Sequence, residues 1–173
     1  MRNLRRKKLL SPTRIRLVAL PRLESLIRSS GFFRQKARNL KAFVNFLFAE
    51  YSGSLNKMFR APTSRLREQL LAIRGVGPET ADSILLYAGK HPVFVIDAYA
   101  RRLLERHQLA EPRHSYDHLR TLFESNLPRD VALYNEFHAL IVRAGKDHCR
   151  AKNPRCSECP LRAFLPVTTF AHL

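Results

Sequence analysis

The sequence predicts an all-α protein, and three observations carry that prediction. Apolar residues recur at helical spacing through most of the chain, as in Ala37, Leu40, Val44, Leu47 and Phe48. No stretch shows the alternation of a half-buried strand, and there is no internal repeat or low-complexity tract. The apolar-periodic segments are separated by helix start and stop signals: Ser11-Pro12, Ser29-Ser30-Gly31, Gly75-Val76-Gly77-Pro78 and Leu127-Pro128. A chain of 173 residues, 45% of them hydrophobic, is long enough to bury a core as one domain or as two small lobes.

Ser11 caps and Pro12 opens a short helix over residues 13–19, because proline at the first helical position loses no hydrogen bond. A second helix follows over 21–28, ended by Ser29-Ser30-Gly31. Residues 32–50 make a longer amphipathic helix, with Arg34, Lys36, Arg38 and Lys41 crowded into its first half. Residues 51–61 read as a loop. Thr63 or Ser64 then caps a helix over 65–73. Beyond it, Ala81, Ile84, Leu85 and Ala88 mark another helix, and the apolar run Val93-Phe94-Val95-Ile96 leads into Asp97. Helices are expected over 98–107, over 116–125 behind Ser115, and over 130–144, where Leu133, Phe137, Leu140 and Ile141 share a face.

The charge narrows the function. Thirty-one Lys and Arg against 14 Asp and Glu leave a net charge of +17, which calls for a polyanionic partner because clustered cations displace counterions from a nucleic-acid backbone. Charge alone does not distinguish an enzyme from an architectural protein. No apolar run approaches the roughly 20 residues that span a bilayer, so no membrane partner is expected. Pro12, Arg14 and Arg16 interrupt any signal-peptide core. Three cysteines, clustered near the end, do not make a secreted disulfide framework. The expectation is a cytoplasmic, nucleoid-associated monomer.

Two motifs carry the chemistry. In residues 70–88, Gly75 and Gly77 leave the backbone N–H groups of a helix-to-helix turn uncovered at the start of a helix, where the dipole favours an anion such as a phosphate. Asp97, at the end of an apolar run, is placed either to cap the next helix or to hold a carboxylate beside a substrate, and one residue can do both.

Taken together and in this order, GVGPETADSILLYA, VFVIDAYARR, YNEFHALIVRAGK and the cysteine cluster resemble the endonuclease III-like DNA glycosylases of the helix-hairpin-helix superfamily, from about Leu9 to Cys159. The resemblance implies a helical lobe over 1–92 carrying the hairpin, and a C-terminal helical lobe over 93–173 with an iron–sulfur-type loop at 149–165. It implies base-excision repair: hydrolysis of the N-glycosidic bond of a damaged base flipped from double-stranded DNA. Asp97 becomes the catalytic carboxylate, in a crevice between lobes. Arg74, Gly75, Val76, Gly77, Glu79, Thr80 and Arg101 fall on the DNA side, and a monovalent cation is expected at the hairpin.

Departures from the family pattern sharpen this reading. Bifunctional relatives carry a lysine two residues after the second hairpin glycine, which attacks the sugar as an amine; here that residue is Glu79, which cannot form an imine. Glu79 also suits the positive end of a helix. A monofunctional glycosylase is therefore expected, without lyase activity, like relatives that act on alkylated purines. Cys149, Cys156 and Cys159 match three ligands of the family's [4Fe–4S] loop, but the fourth position is Leu165. Three outcomes stay open: a cluster with an outside or His ligand, a Cys3His zinc site recruiting His148 or His172, or no metal. The chain also starts at the tail of an expected helix, with Asn3 to Arg6, so a shortened or degenerate copy that only binds DNA is the rival. His138 and Lys146 lie in a family-like segment without an assigned role.

Overall fold

A computed structural model describes residues 2–166, and within them there are helices and no strands. By backbone contacts the chain divides into two compact units at the Gly77–Pro78 bond, in the middle of the hairpin, whereas the resemblance puts the lobe boundary near residue 92.

The first unit is built on one long helix. It contains α1 (Arg2–Arg6), α2 (Pro12–Leu17), α3 (Leu20–Leu26), a 3-10 turn at Arg28–Ser30, α4 (Phe33–Tyr51), α5 (Leu55–Met58) and α6 (Thr63–Leu71). Leu4, Ile15, Leu23, Ala37 and Val44 form its core, so α1, α2 and α3 all bury an apolar side chain against α4. Ser11 caps α2 as expected, accepting from the N–H of Arg14 at 3.3 Å. The C-terminus of α2 is closed by Lys41, which donates to the carbonyls of Arg16, at 2.7 Å, and Val18. A cation at the negative end of a helix is favourable. Lys36 likewise donates to Ser30 O. The basic face of α4 is thus partly structural: Lys41 is partly buried, while Lys36, Arg34 and Arg38 are exposed, Lys36 with its ammonium on Ser30 O.

Two expectations need correction here. Residues 51–61 are not a plain loop: Ser54 accepts from the N–H of Lys57 and starts the one-turn helix α5. Neither Thr63 nor Ser64 caps α6; the helix starts at Thr63 with Pro62 in the capping position and no side-chain cap, because the proline itself fixes the entry angle.

The second unit contains α7 (Pro78–Ser83), a π turn (Ile84–Ala88), α8 (Ala98–Arg106), α9 (Tyr116–Asn126), α10 (Val131–Asp147) and two 3-10 turns, Cys156–Glu158 and Arg162–Phe164. The helix expected after the hairpin is α-helical only to Ser83, and its last turn is widened. Val93 to Ile96 are fully buried in a non-helical run. Phe94 stacks on Phe123, with ring centroids 4.0 Å apart, and meets Tyr134 and Phe137 edge-on. That aromatic core holds the segment that delivers Asp97. Ser115 and Asp130 cap α9 and α10 through their side chains. Helices α8 and α10 pack closely, and the approach depends on Gly145: a Cβ there would lie 2.4 Å from the Tyr99 ring. No helix among the described residues is long and apolar enough to cross a membrane.

Candidate active site

The hairpin turn is set by a side chain from α4. Gly75 has φ +84, a conformation that glycine adopts without strain, and a Cβ there would lie 2.3 Å from Asn39 Oδ1. Asn39 Nδ2 donates to Gly75 O at 3.0 Å. Nothing lies within 4 Å of where a Cβ on Gly77 would be, so that glycine faces open space. Arg74, Gly75, Gly77, Glu79 and Thr80 are exposed, and Val76 is buried. The N–H of Val76 is already spent on Ile73 O at 3.0 Å, which gives Val76 an anchoring part in the turn. The carbonyls of Ile73 and Gly75 each accept one hydrogen bond, from Val76 and Asn39, so a monovalent cation here would share them with those donors.

Asp97 caps α8. Its Oδ1 accepts from the N–H of Ala100 at 2.8 Å. Its Oδ2 faces Nε2 of His138 at 3.6 Å, with the Asp97 side chain 15% exposed. On the other side of the imidazole, Nδ1 meets the Tyr87 hydroxyl. Burial pushes the His138 pKa down from its ordinary 6.5, and the Asp97 charge only partly opposes this. Partial burial and the Asp97 charge both raise the pKa of Glu79, and the same two causes raise that of Tyr87. Burial is the larger cause in each case, and the Asp97 charge is the one contribution the three groups share. Titratable groups shifted by burial and by one shared carboxylate are a common mark of catalytic sites.

His138 is named from the sequence without a role, and Tyr87 is not singled out. They lie 51 residues apart, and only the π turn and α10 bring them together. Lys146, from the same family-like segment, is exposed. Arg101, expected on the DNA side, spends its guanidinium on His114 O at 3.0 Å and on Glu105 at 3.8 Å. One exposed residue stands out elsewhere: Phe32, 84% exposed, has φ +46 at the start of α4. Its signal in sequence was faint, an aromatic pair directly after Gly31.

Among the described residues the cysteine loop presents an incomplete ligand set, three thiols where a [4Fe–4S] cluster takes four. Cys149 is buried, and its Sγ accepts from Arg106 Nη1 at 3.3 Å. Arg106 also donates to Arg150 O at 2.6 Å and Ala151 O at 3.2 Å, and Arg102 donates to Cys149 O at 2.7 Å. Arginines of α8 therefore hold the start of the loop. The fourth ligand position, Leu165, offers no donor atom. No group of three or more His, Cys, Asp or Glu among the described residues is arranged to take an ion. His172, one of the two histidines considered for zinc, lies outside those residues. Burial, and after it the neighbouring Cys149, raise the thiol pKa of Cys156.

An all-helical chain with a GxG hairpin, and a capped, half-buried aspartate shortly after it, defines a helix-hairpin-helix protein of the DNA-repair type. The chain belongs to the HhH-GPD superfamily of base excision DNA repair proteins, whose family model matches residues 1–129; the iron–sulfur binding domain of endonuclease III matches residues 149–164. It is 42% identical over 164 residues to a Methanocaldococcus jannaschii protein assigned as a DNA repair glycosylase, covering 94% of this chain and 74% of that one. It spans 61% of the length of Bacillus subtilis endonuclease III, at 27% identity. Among solved structures it is similar to a non-covalent endonuclease III–DNA complex, with a TM-score of 0.78 and 26% identity over 95% of this chain and 73% of that one. It is also similar to Helicobacter pylori 3-methyladenine DNA glycosylase bound to 1,N6-ethenoadenine, with a TM-score of 0.71 and 28% identity over 84% and 74%.

Proposed function

We propose that the chain is a monofunctional DNA N-glycosylase that hydrolyses the bond between C1′ and a damaged base turned out of duplex DNA. The observation that carries this is Asp97 itself. One carboxylate oxygen is fixed by the helix it caps, and the other is free of hydrogen bonds to the backbone and only partly exposed.

The chemistry follows from the charge. As the C1′–N bond breaks, its electron pair leaves with the base and positive charge builds on the sugar. A carboxylate fixed beside C1′ stabilises that charge and takes a proton from the water that adds to C1′, leaving a free base and an abasic sugar. Glu79 stands where a covalent route would need an amine. A carboxyl group cannot form an imine, so the route stops at hydrolysis. The structural relative bound to ethenoadenine supports a modified purine as the substrate class.

The DNA face proposed is the hairpin from Arg74 to Thr80, with the open Gly77 and the N–H groups at the start of α7 taking a phosphate. In the first unit taken by itself, exposed Arg34, Arg38 and Phe32 offer cations and an apolar wedge to a duplex. Such wedges commonly occupy the gap between bases in proteins that distort duplexes.

The test is single-turnover excision on duplexes bearing uracil, thymine glycol or alkylated adenine, with the wild-type chain and Asp97→Asn, with and without alkali. The expected result is release of one base, a rate roughly 10²- to 10³-fold lower for Asp97→Asn, and strand breaks only after alkali. A borohydride-trapped adduct with the native chain would overturn the monofunctional reading. Duplex binding without excision of any lesion would leave a binding protein.

A further inference from the structure

His138 is 7% exposed in a wall of aromatic rings, with the Phe94 ring edge-on at 6.3 Å. An apolar ring would pack there without burying a polar atom. Instead the histidine buries Nε2, which has no hydrogen-bond partner and points at Asp97. Buried polar atoms are nearly always satisfied, so an orphan facing a carboxylate calls for a reason.

Tyr87 and Asp97 flank the ring at opposite nitrogens. The phenol remains protonated, because burial and the Asp97 charge both oppose its ionisation. The hydroxyl meets Nδ1, and on the other side a bare Nε2 lone pair would face the Asp97 carboxylate oxygen and be repelled by it. That favours the neutral tautomer with its proton on Nε2 and the Tyr87 O–H donating to Nδ1. Three titratable groups surround this ring and its partner: Tyr87 from the π turn, Asp97 from the start of α8, and Glu79 from α7 acting on Asp97.

We propose that Tyr87 and His138 are positioning residues for Asp97: the tyrosine supports that tautomer, and the Nε2–H closes onto Oδ2 when substrate is bound, fixing the carboxylate's orientation. The 3.6 Å separation is just outside hydrogen-bond length, and hydrogen bonds in catalytic sites are often long before substrate tightens them. With Oδ1 held by Ala100 N–H and Oδ2 by His138, the carboxylate cannot rotate away from the sugar. A neutral donor does this without cancelling the negative charge that the developing sugar cation needs. A protonated histidine would form an ion pair and blunt it. The inference rests on Asp97 being the catalytic carboxylate.

The experiment compares His138→Leu, His138→Gln and Tyr87→Phe with the wild type and with Asp97→Asn, measuring single-turnover excision and duplex affinity separately. It is joined by ¹⁵N NMR of the wild-type histidines at neutral pH. His138→Leu is expected to slow excision roughly 10- to 100-fold at unchanged duplex affinity. His138→Gln, whose amide N–H reaches the position of Nε2–H, restores most of the rate. Tyr87→Phe slows it a few-fold. The NMR spectrum shows His138 neutral with its proton on Nε2. An Nδ1-protonated or cationic His138 would overturn the inference, whatever the variants do. So would rates within two-fold of wild type for the three variants while Asp97→Asn is inactive. Full activity of Asp97→Asn would instead refute the assignment of Asp97, and the positioning role with it.

Discussion

Arg106 reaches from α8 to Cys149 and donates one N–H to its sulfur at 3.3 Å, and two more to the carbonyls of Arg150 and Ala151. The guanidinium thus ties down the residues that a metal cluster would otherwise organise. Protein purified without air is expected to contain iron and sulfide far below the four per chain of a [4Fe–4S] cluster, by elemental analysis. Leu165→Cys is expected to raise both and to add a cluster's visible absorbance. A full complement in the native chain would refute this account.

Gly75→Ala is expected to destabilise the protein on two counts. The residue sits at φ +84, and the new methyl group would strike Asn39. Backbone strain of this kind costs on the order of 1–3 kcal/mol. Adding Asn39→Ala removes the collision but not the strain, so the double variant should lose less than the sum of the two single ones. Denaturant unfolding of the four proteins measures that coupling.

Phe32→Ala tests the wedge. The ring is 84% exposed, so its loss should shift the unfolding midpoint little while weakening binding to duplex and slowing excision. A loss of stability with unchanged DNA binding would assign the ring a packing role instead.

The pH response should carry the mark of His138. Its folded pKa lies below 6.5, so on acidification the unfolded chain takes up a proton that the folded chain refuses. Stability contributed by the neutral ring is complete above 6.5 and is lost as pH falls through that value. Glu79 has the opposite sign: its folded pKa is raised above 4.5, and stability falls as pH rises through that region. Thermal unfolding of the wild type should therefore weaken from pH 7 to about pH 5 more steeply than that of His138→Leu, since about 6.5 is where an unperturbed histidine titrates.

Most of the helical order was legible in the sequence because its signals are local. Ser11, Asp97, Ser115 and Asp130 each accept from an N–H three residues on, an interaction set entirely by near neighbours. The family was legible for a different reason: four short motifs recur in a fixed order. What stayed hidden depends on distant partners. Lys36 and Lys41 looked like a cationic surface, but carbonyls at Ser30, Arg16 and Val18 take them up. His138 could be seen in the chain, but its relation to Asp97 and Tyr87 spans sequence separations of 41 and 51 that must fold first. The short helix at Leu55–Met58 lacks the length over which periodicity can be read.

The widened turn at Ile84–Ala88 has a consequence for how this stretch can change. A π turn holds one residue more than the α-helix around it, so it behaves as a stored insertion. Removing Ile84, Leu85 or Leu86 from it would let the helix close normally and change the direction in which Tyr87 leaves it. The Tyr87 hydroxyl would then swing off the imidazole it meets, although every side chain needed for the contact would still be present. Here it is residue count, as much as residue identity, that keeps Tyr87 on the imidazole.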